Sequence, residues 1–329
     1  MRVNKKSVVI SAALAALLVA LTGCKGGNAT ANKNADMNKT SANMMDGYQL
    51  VWYDEFDAAE LDGTKWNTSQ TRMTDSDELA QSNGSYVRTV ASGNLKLIAD
   101  VNPWYDPASE KYFEQHKYMT TTSVTTEKRM SFRYGYLEMR AKVPFKEGCW
   151  PSLWLRSHHA TEKSNSSNYD IEIDIFEVFG STNRLAANLH QQMYNGISGN
   201  SFQTSGTKID NAEIFTFANA ENLSNEYHVY GFEWTPEKIS IYVDRQLVCE
   251  WKIDKNSFLS YGLQPDISGM DNTVNILLNN HLFTKTTEYI PSANNIIENY
   301  ESNLPAVYEI DYIRLYQKND DVSKLIVGK

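Results

Sequence analysis

The chain has 329 residues, 41% of them hydrophobic, enough to bury the single large core that all-β sandwiches reach in one domain. Its formal charge is -9 and no basic run is present, which argues against a nucleic-acid surface and for a neutral or soluble partner rather than a strongly anionic one. Without internal repeats it does not read as a repeat-built surface protein.

The chain opens MRVNKKSVVISAALAALLVALTGC, with Arg2, Lys5 and Lys6 ahead of an apolar run from Val8 to Leu21. That is the pattern of a signal peptide, and the run is short for a membrane span. The small residues before Cys24 resemble the lipobox of bacterial lipoproteins, which makes residues 1–23 the leader and Cys24 the lipidated first residue. Lys25 rather than Asp follows, so in a Gram-negative cell the resemblance implies sorting to the outer membrane. Plain secretory cleavage and an uncleaved anchor are the alternatives. Residues 24–46 are rich in Asn, Ala, Lys, Thr, Ser and Gly with clustered Met, the composition of a disordered tether.

From residue 47 to 318 nearly every segment is strand-like. Short alternating runs occupy 48–56, 93–100, 134–143, 227–234, 238–253, 273–280 and 308–317, with turn residues between them. Helical periodicity is scarce and no βαβ rhythm is present, so the expected class is all-β, an antiparallel two-sheet sandwich. The polar segments 101–118, 157–168 and 255–272 read as loops rimming a functional face, and residues 319–329 as a charged, frayed tail. Cys149 and Cys249 sit in strand-like contexts and fit a disulfide or two buried thiols equally well.

The densest chemistry lies at 169–180, YDIEIDIFEVFG. Acidic and apolar residues alternate from Asp170 to Ile175, which puts Asp170, Glu172 and Asp174 on one sheet face and Ile171, Ile173 and Ile175 in a core. Ile175 and Phe176 then break the alternation, and Glu177 would fall on the core face, where an unpaired carboxylate is costly. One extra residue at Ile175 or Phe176, a β-bulge, returns Glu177 to the face of Glu172 and Asp174. Like charges in such a row repel and reduce stability. A solvated strand face, compensated by basic residues on neighbouring strands, is one explanation. The other is that crowding holds one carboxyl protonated beside an ionised neighbour, the pair that glycosidic hydrolysis needs.

That stretch, with GCWPSLWLRS before it, resembles glycoside hydrolase family 16 in its bulged Glu-x-Asp-x-x-Glu form. LVWYDEFD at 50–57, LDGTKWN at 61–67, SFRYGYLEMRAKVP at 131–144, VYGFEWTPEKISIYVDRQLV at 229–248 and YEIDYIRLYQ at 308–317 resemble the family's successive blocks in order. The resemblance implies a β-jelly roll with an open groove across a concave face. It implies a retaining hydrolase with Glu172 as nucleophile, Asp174 as its assistant and Glu177 as general acid/base. Trp150 and Trp154 would line the groove, His190 the leaving-group side, and Trp234 the sandwich edge or outer groove. Asp311 resembles a position where some members hold a structural calcium; the chemistry itself would require no cofactor.

The implied substrate is a β-linked polysaccharide or oligosaccharide, cut internally by a monomer that meets the membrane only through its lipid. A β-1,3- or mixed-linkage glucan comes first, with an agar-, porphyran- or O-glycan-type galactan as the alternative. Glucan-cutting members carry an Arg where this chain has Ser123, a Gly where it has Ile171, and a Gly-rich segment where it has NNHLFTK at 279–285. WLRS at 154–157 resembles galactan-cutting members instead. A non-catalytic glycan-binding lipoprotein is the remaining reading.

Overall fold

The computed structural model describes residues 47–68, 88–101, 118–119, 121–146, 148–157, 169–178, 184–193, 209–216, 224–253, 273–282, 300–320 and 323–328. The leader, Cys24 and the tether lie outside these residues, as do the expected rim loops apart from residues 101, 118, 157 and their strand ends.

The alternating runs fold into two antiparallel sheets. Sheet A has nine strands in the order β14 (Gln246–Lys252), β13 (Lys238–Val243), β12 (His228–Trp234), β7 (Gly135–Lys142), β16 (Ala306–Lys318), β3 (Asn94–Val101) and β2 (Arg88–Ala91). β1 (Tyr48–Asp54) also pairs with β16, and β4 (Tyr118–Met119) with β3. Sheet B has eight, in the order β11 (Ile209–Thr216), β10 (Arg184–Met193), β9 (Tyr169–Glu177), β8 (Cys149–Ser157), β15 (Val274–Leu282), β6 (Met130–Arg133) and β17 (Lys324–Val327). β5 (Thr121–Thr125) also pairs with β15.

The strands give one face to a core between the sheets, as a period of two requires. In β3, Leu95, Leu97 and Ala99 are buried while Lys96 and Ile98 between them are partly exposed. Sheet A adds Leu137, Met139, Tyr230 and Phe232; sheet B adds Leu153, Leu155, Ile173 and Phe176. The Phe176 and Tyr230 rings meet between the sheets at 4.6 Å. Burying a side chain of this size stabilises by roughly 1.5–3 kcal/mol. Asn280 of β15 adds a polar tie, its buried amide donating to the backbone carbonyls of Leu97 and Ala306, each at 3.0 Å.

Three expectations change here. The run 238–253 is a hairpin, not one strand: Asp244 and Arg245 have φ of 49° and 63°, the paired positive values of a type I′ turn, whose twist suits the flanking strands. Residues 324–327 of the expected tail are a strand, Leu325, Ile326 and their neighbours pairing with β6 as β17, and Gln317 Nε2 donates to the Lys324 carbonyl at 2.9 Å. Trp234 is not at an edge or groove; it has no exposed surface and meets Tyr134 edge-on at 5.1 Å. Cys149 and Cys249 are both buried free thiols, and burial pushes the Cys149 thiol up to about 12.

The face of sheet A turned away from the core is unusually aromatic. Tyr136 and Tyr312 both donate to Glu138, while Tyr48 and Tyr242 both donate to Glu233. Gly231 lies among them because any side chain there would collide with the Tyr136 hydroxyl. Arg314 closes the cluster, stacked 3.6 Å over the Tyr312 ring and bound through two nitrogens to Glu55 at 2.7 and 2.8 Å.

Candidate active site

In the middle of sheet B, register aligns the residues facing away from the core in three rows across β10, β9, β8 and β15. The first holds Ala186, Glu177, Ser152 and Asn279; the second Asn188, Asp174, Trp154 and Leu277; the third His190, Glu172, Arg156 and Asn275. Between the first two rows β9 contains one residue more than either neighbour: the pairing steps from Phe176 to Asp174 while β8 steps from Leu153 to Trp154. Ile175 is that extra residue. The bulge is therefore where the broken alternation requires it, and Glu172, Asp174 and Glu177 share a face.

Glu177 is 9% exposed and held at both oxygens. Trp150 Nε1 donates to Oε1 at 2.9 Å, and Asn188 Nδ2 donates to Oε2 at 2.7 Å. Burial raises its carboxyl most, and the charge of Asp174 adds to this. The Asn188 and Trp150 bonds pull the other way, Glu172 contributes a smaller rise, and the result lies at about 8. Sequence reasoning named the neighbouring charges alone; removal from water outranks them because the bulge and the flanking strands cover Glu177. Asp174 is buried as well, whereas Glu172 is partly exposed. The site thus sets a carboxyl protonated at neutral pH beside a more accessible one.

Trp150 and Trp154 stand on the site face, both partly exposed. Trp150 does more than line a groove, since its indole N–H is committed to Glu177. Trp154 Nε1 and Ser152 Oγ both donate to Asn279 Oδ1 at 2.7 Å, and Asn279 Nδ2 donates to the Trp150 carbonyl at 3.3 Å. His281 lies beside Trp150, ring centroids 6.1 Å apart. His190 pairs with Glu172 through the backbone, and its side chain lies outside the described residues. Asp311 is on the other sheet, ion-paired with Arg140, and no group of three potential metal ligands occurs among the described residues.

Sequence reasoning missed Asn188, Asn279 and His281. A signal existed for one of them: Asn is depleted in strands, so Asn279 and Asn280 in succession within TVNILLNN mark a strand with polar work on both faces. Asn188 carried no such mark.

An antiparallel jelly roll with two glutamates and an aspartate on one bulged strand, one glutamate held protonated, defines a glycoside hydrolase site. The family model described as beta-porphyranase A-D, GH16 domain, matches residues 51–318, and the chain belongs to this glycoside hydrolase family. Among curated relatives, glucan endo-1,3-beta-glucosidase A1 of Niallia circulans is 24% identical over 282 residues, 83% of this chain and 38% of that protein. Kappa-carrageenase of Pseudoalteromonas carrageenovora is 26% identical over 280 residues, 80% of this chain and 63% of that protein. The chain thus spans less than two thirds of either relative. The laminarinase catalytic domain of Thermotoga maritima superposes with a TM-score of 0.57 at 25% identity, covering 83% of this chain and 99% of that domain.

Proposed function

We propose that the chain is a retaining endo-β-glycosidase acting on a galactan-type polysaccharide, anchored to the outer membrane through Cys24. The observation that carries the reaction is the buried, protonated Glu177 on one strand face with Glu172. In the first step Glu177 gives its proton to the departing sugar oxygen while the Glu172 carboxylate attacks the anomeric carbon, so the glycosidic bond breaks and a glycosyl ester forms. In the second, Glu177 takes a proton from water, the oxygen of that water adds to the anomeric carbon, and Glu172 leaves as carboxylate. Burial keeps Glu177 protonated in the free enzyme, and the charge of Asp174, on the face between them, adds to it.

A galactan is preferred over the glucan placed first by the sequence. Its support is the porphyranase description of the family, the carrageenase among the relatives, WLRS at 154–157, and the departures from the glucan pattern at Ser123, Ile171 and 279–285. The second reading, a β-1,3-glucan, is favoured by the Niallia relative. Incubation with porphyran, agarose, laminarin and mixed-linkage glucan separates them, oligosaccharides being expected from a galactan only. Release from laminarin alone would reverse the preference. Glu172→Gln is expected to abolish turnover with the fold intact, and full activity in that variant would reject the retaining reading.

The anchor rests on the lipobox resemblance and on the composition of residues 24–46. Cys24→Ala is expected to leave the membrane fraction or to accumulate as precursor, with specific activity unchanged. A variant still processed and membrane-bound would overturn the anchor and leave the catalytic assignment standing.

A further inference from the structure

We propose that Asn188 is a positioning residue for the proton carrier: its amide fixes Oε2 of Glu177 and stabilises the carboxylate through which the glycosyl-enzyme is opened. This rests on the retaining reading above and names a residue that reading does not use.

Glu177 has to work in two charge states. The first step needs it neutral, and burial together with the charges of Asp174 and Glu172 favours that state. The second step needs it ionised, and the counterweight comes from the adjacent strands: Trp150 on β8 donates to one oxygen and Asn188 on β10 to the other. Both groups donate an N–H to the carboxyl, so both favour its ionised form. The Asn188 bond, the shorter at 2.7 Å against 2.9 Å, strengthens when the proton leaves, because a donor to an ionised acceptor binds about twice as strongly.

The register that brings Asn188 there is set by the bulge. Asn188 is the Cα partner of Asp174, one row from Glu177, and the pairing slips between the two rows. Among the described residues, the other charged or titratable groups facing this region are Asp174 and Glu172 on β9, Arg156 on β8 and His281 on β15; His190 on β10 is level with Glu172. A substitution at Asn188 leaves all of these in place, so a change in the titration of Glu177 is assignable to the lost donor.

The test is carbon-13 NMR on the full chain labelled at glutamate carboxyls, with the Glu177 resonance assigned by its loss in Glu177→Gln. Its midpoint, about 8 in the unaltered chain, is expected to move upward by about one pH unit or more in Asn188→Ala. Asn188→Leu, which keeps the branching at Cγ and removes the donor, replaces it if the alanine variant fails to fold. An unmoved midpoint in a folded variant overturns the proposal and leaves the retaining mechanism untouched. On the polysaccharide that the unaltered chain cleaves, kcat is expected to fall about tenfold and KM to fall with it, kcat/KM below the alkaline limb being set by the first step and unchanged. A burst of first product should precede the slow steady state as the ester accumulates. The alkaline limb of kcat/KM should shift upward. A rise in KM with no burst and no shifted limb would mean a merely structural role. Full turnover in Glu172→Gln would instead reject the reading beneath it, whatever the NMR midpoint does.

Discussion

A carboxyl that titrates at about 8 in the folded chain, against an ordinary 4.5, binds more protons native than unfolded throughout the interval between. Stability contributed by the neutral form is therefore fully present below the unfolded value and is lost as pH rises through the folded one. Glu177→Gln keeps the shape and removes the titration. Thermal melts should show the variant more stable than the parent at about pH 9, by on the order of a few kcal/mol, with the two converging at about pH 4. Equal melting at the higher pH would contradict a buried, neutral Glu177. The three carboxylates were legible in the sequence because alternation fixes their face and the paired Ile175–Phe176 forces a bulge. Asn188 was not, because its meeting with Glu177 depends on how β10 registers against β9, and local periodicity carries no information about a partner strand.

Elements were legible in proportion to their length. β3, β7, β12 and β16 alternate long enough to declare themselves, whereas β2 and β6 are four residues each, too short to show a period. β17 was hidden differently, as four residues set behind the charged Asp320 and Asp321, and its strand character comes from the edge that β6 offers. Leu325 also packs against the main core. A chain ending after Ser323 loses that contact and the Lys324 carbonyl that holds Gln317. Denaturant unfolding should show it less stable by roughly 2 kcal/mol or more. An unchanged midpoint would mean that the strand is only laid on the sheet.

At the scale of the molecule, the catalytic strand lies inside sheet B, with β10 and β11 on one side and β8, β15, β6 and β17 on the other. In the proposed function a polymer crossing these strands would have sheet on both sides of the bond that is cut. The viscosity of a cleaved polysaccharide should therefore collapse while few reducing ends have appeared; a proportional rise of both from the outset would indicate cutting from chain ends. Fold class and reaction were legible because the family's blocks occur in order and the catalytic strand is complete. The sugar was not: Ser123, Ile171 and the segment 279–285 mark where the chain departs from the glucan pattern, and a departure names no replacement sugar. The opposite sheet gives the molecule a further property. Its phenols at Tyr48, Tyr136 and Tyr312, with Tyr230 and Tyr308 in the core, all have their ionisation pushed upward, mainly by burial. Past the ordinary tyrosine value of about 10, these rings stay dark in the phenolate absorption band for as long as the sandwich holds. Alkaline collapse of this protein will announce itself by colour in the ultraviolet, with no dye or label added.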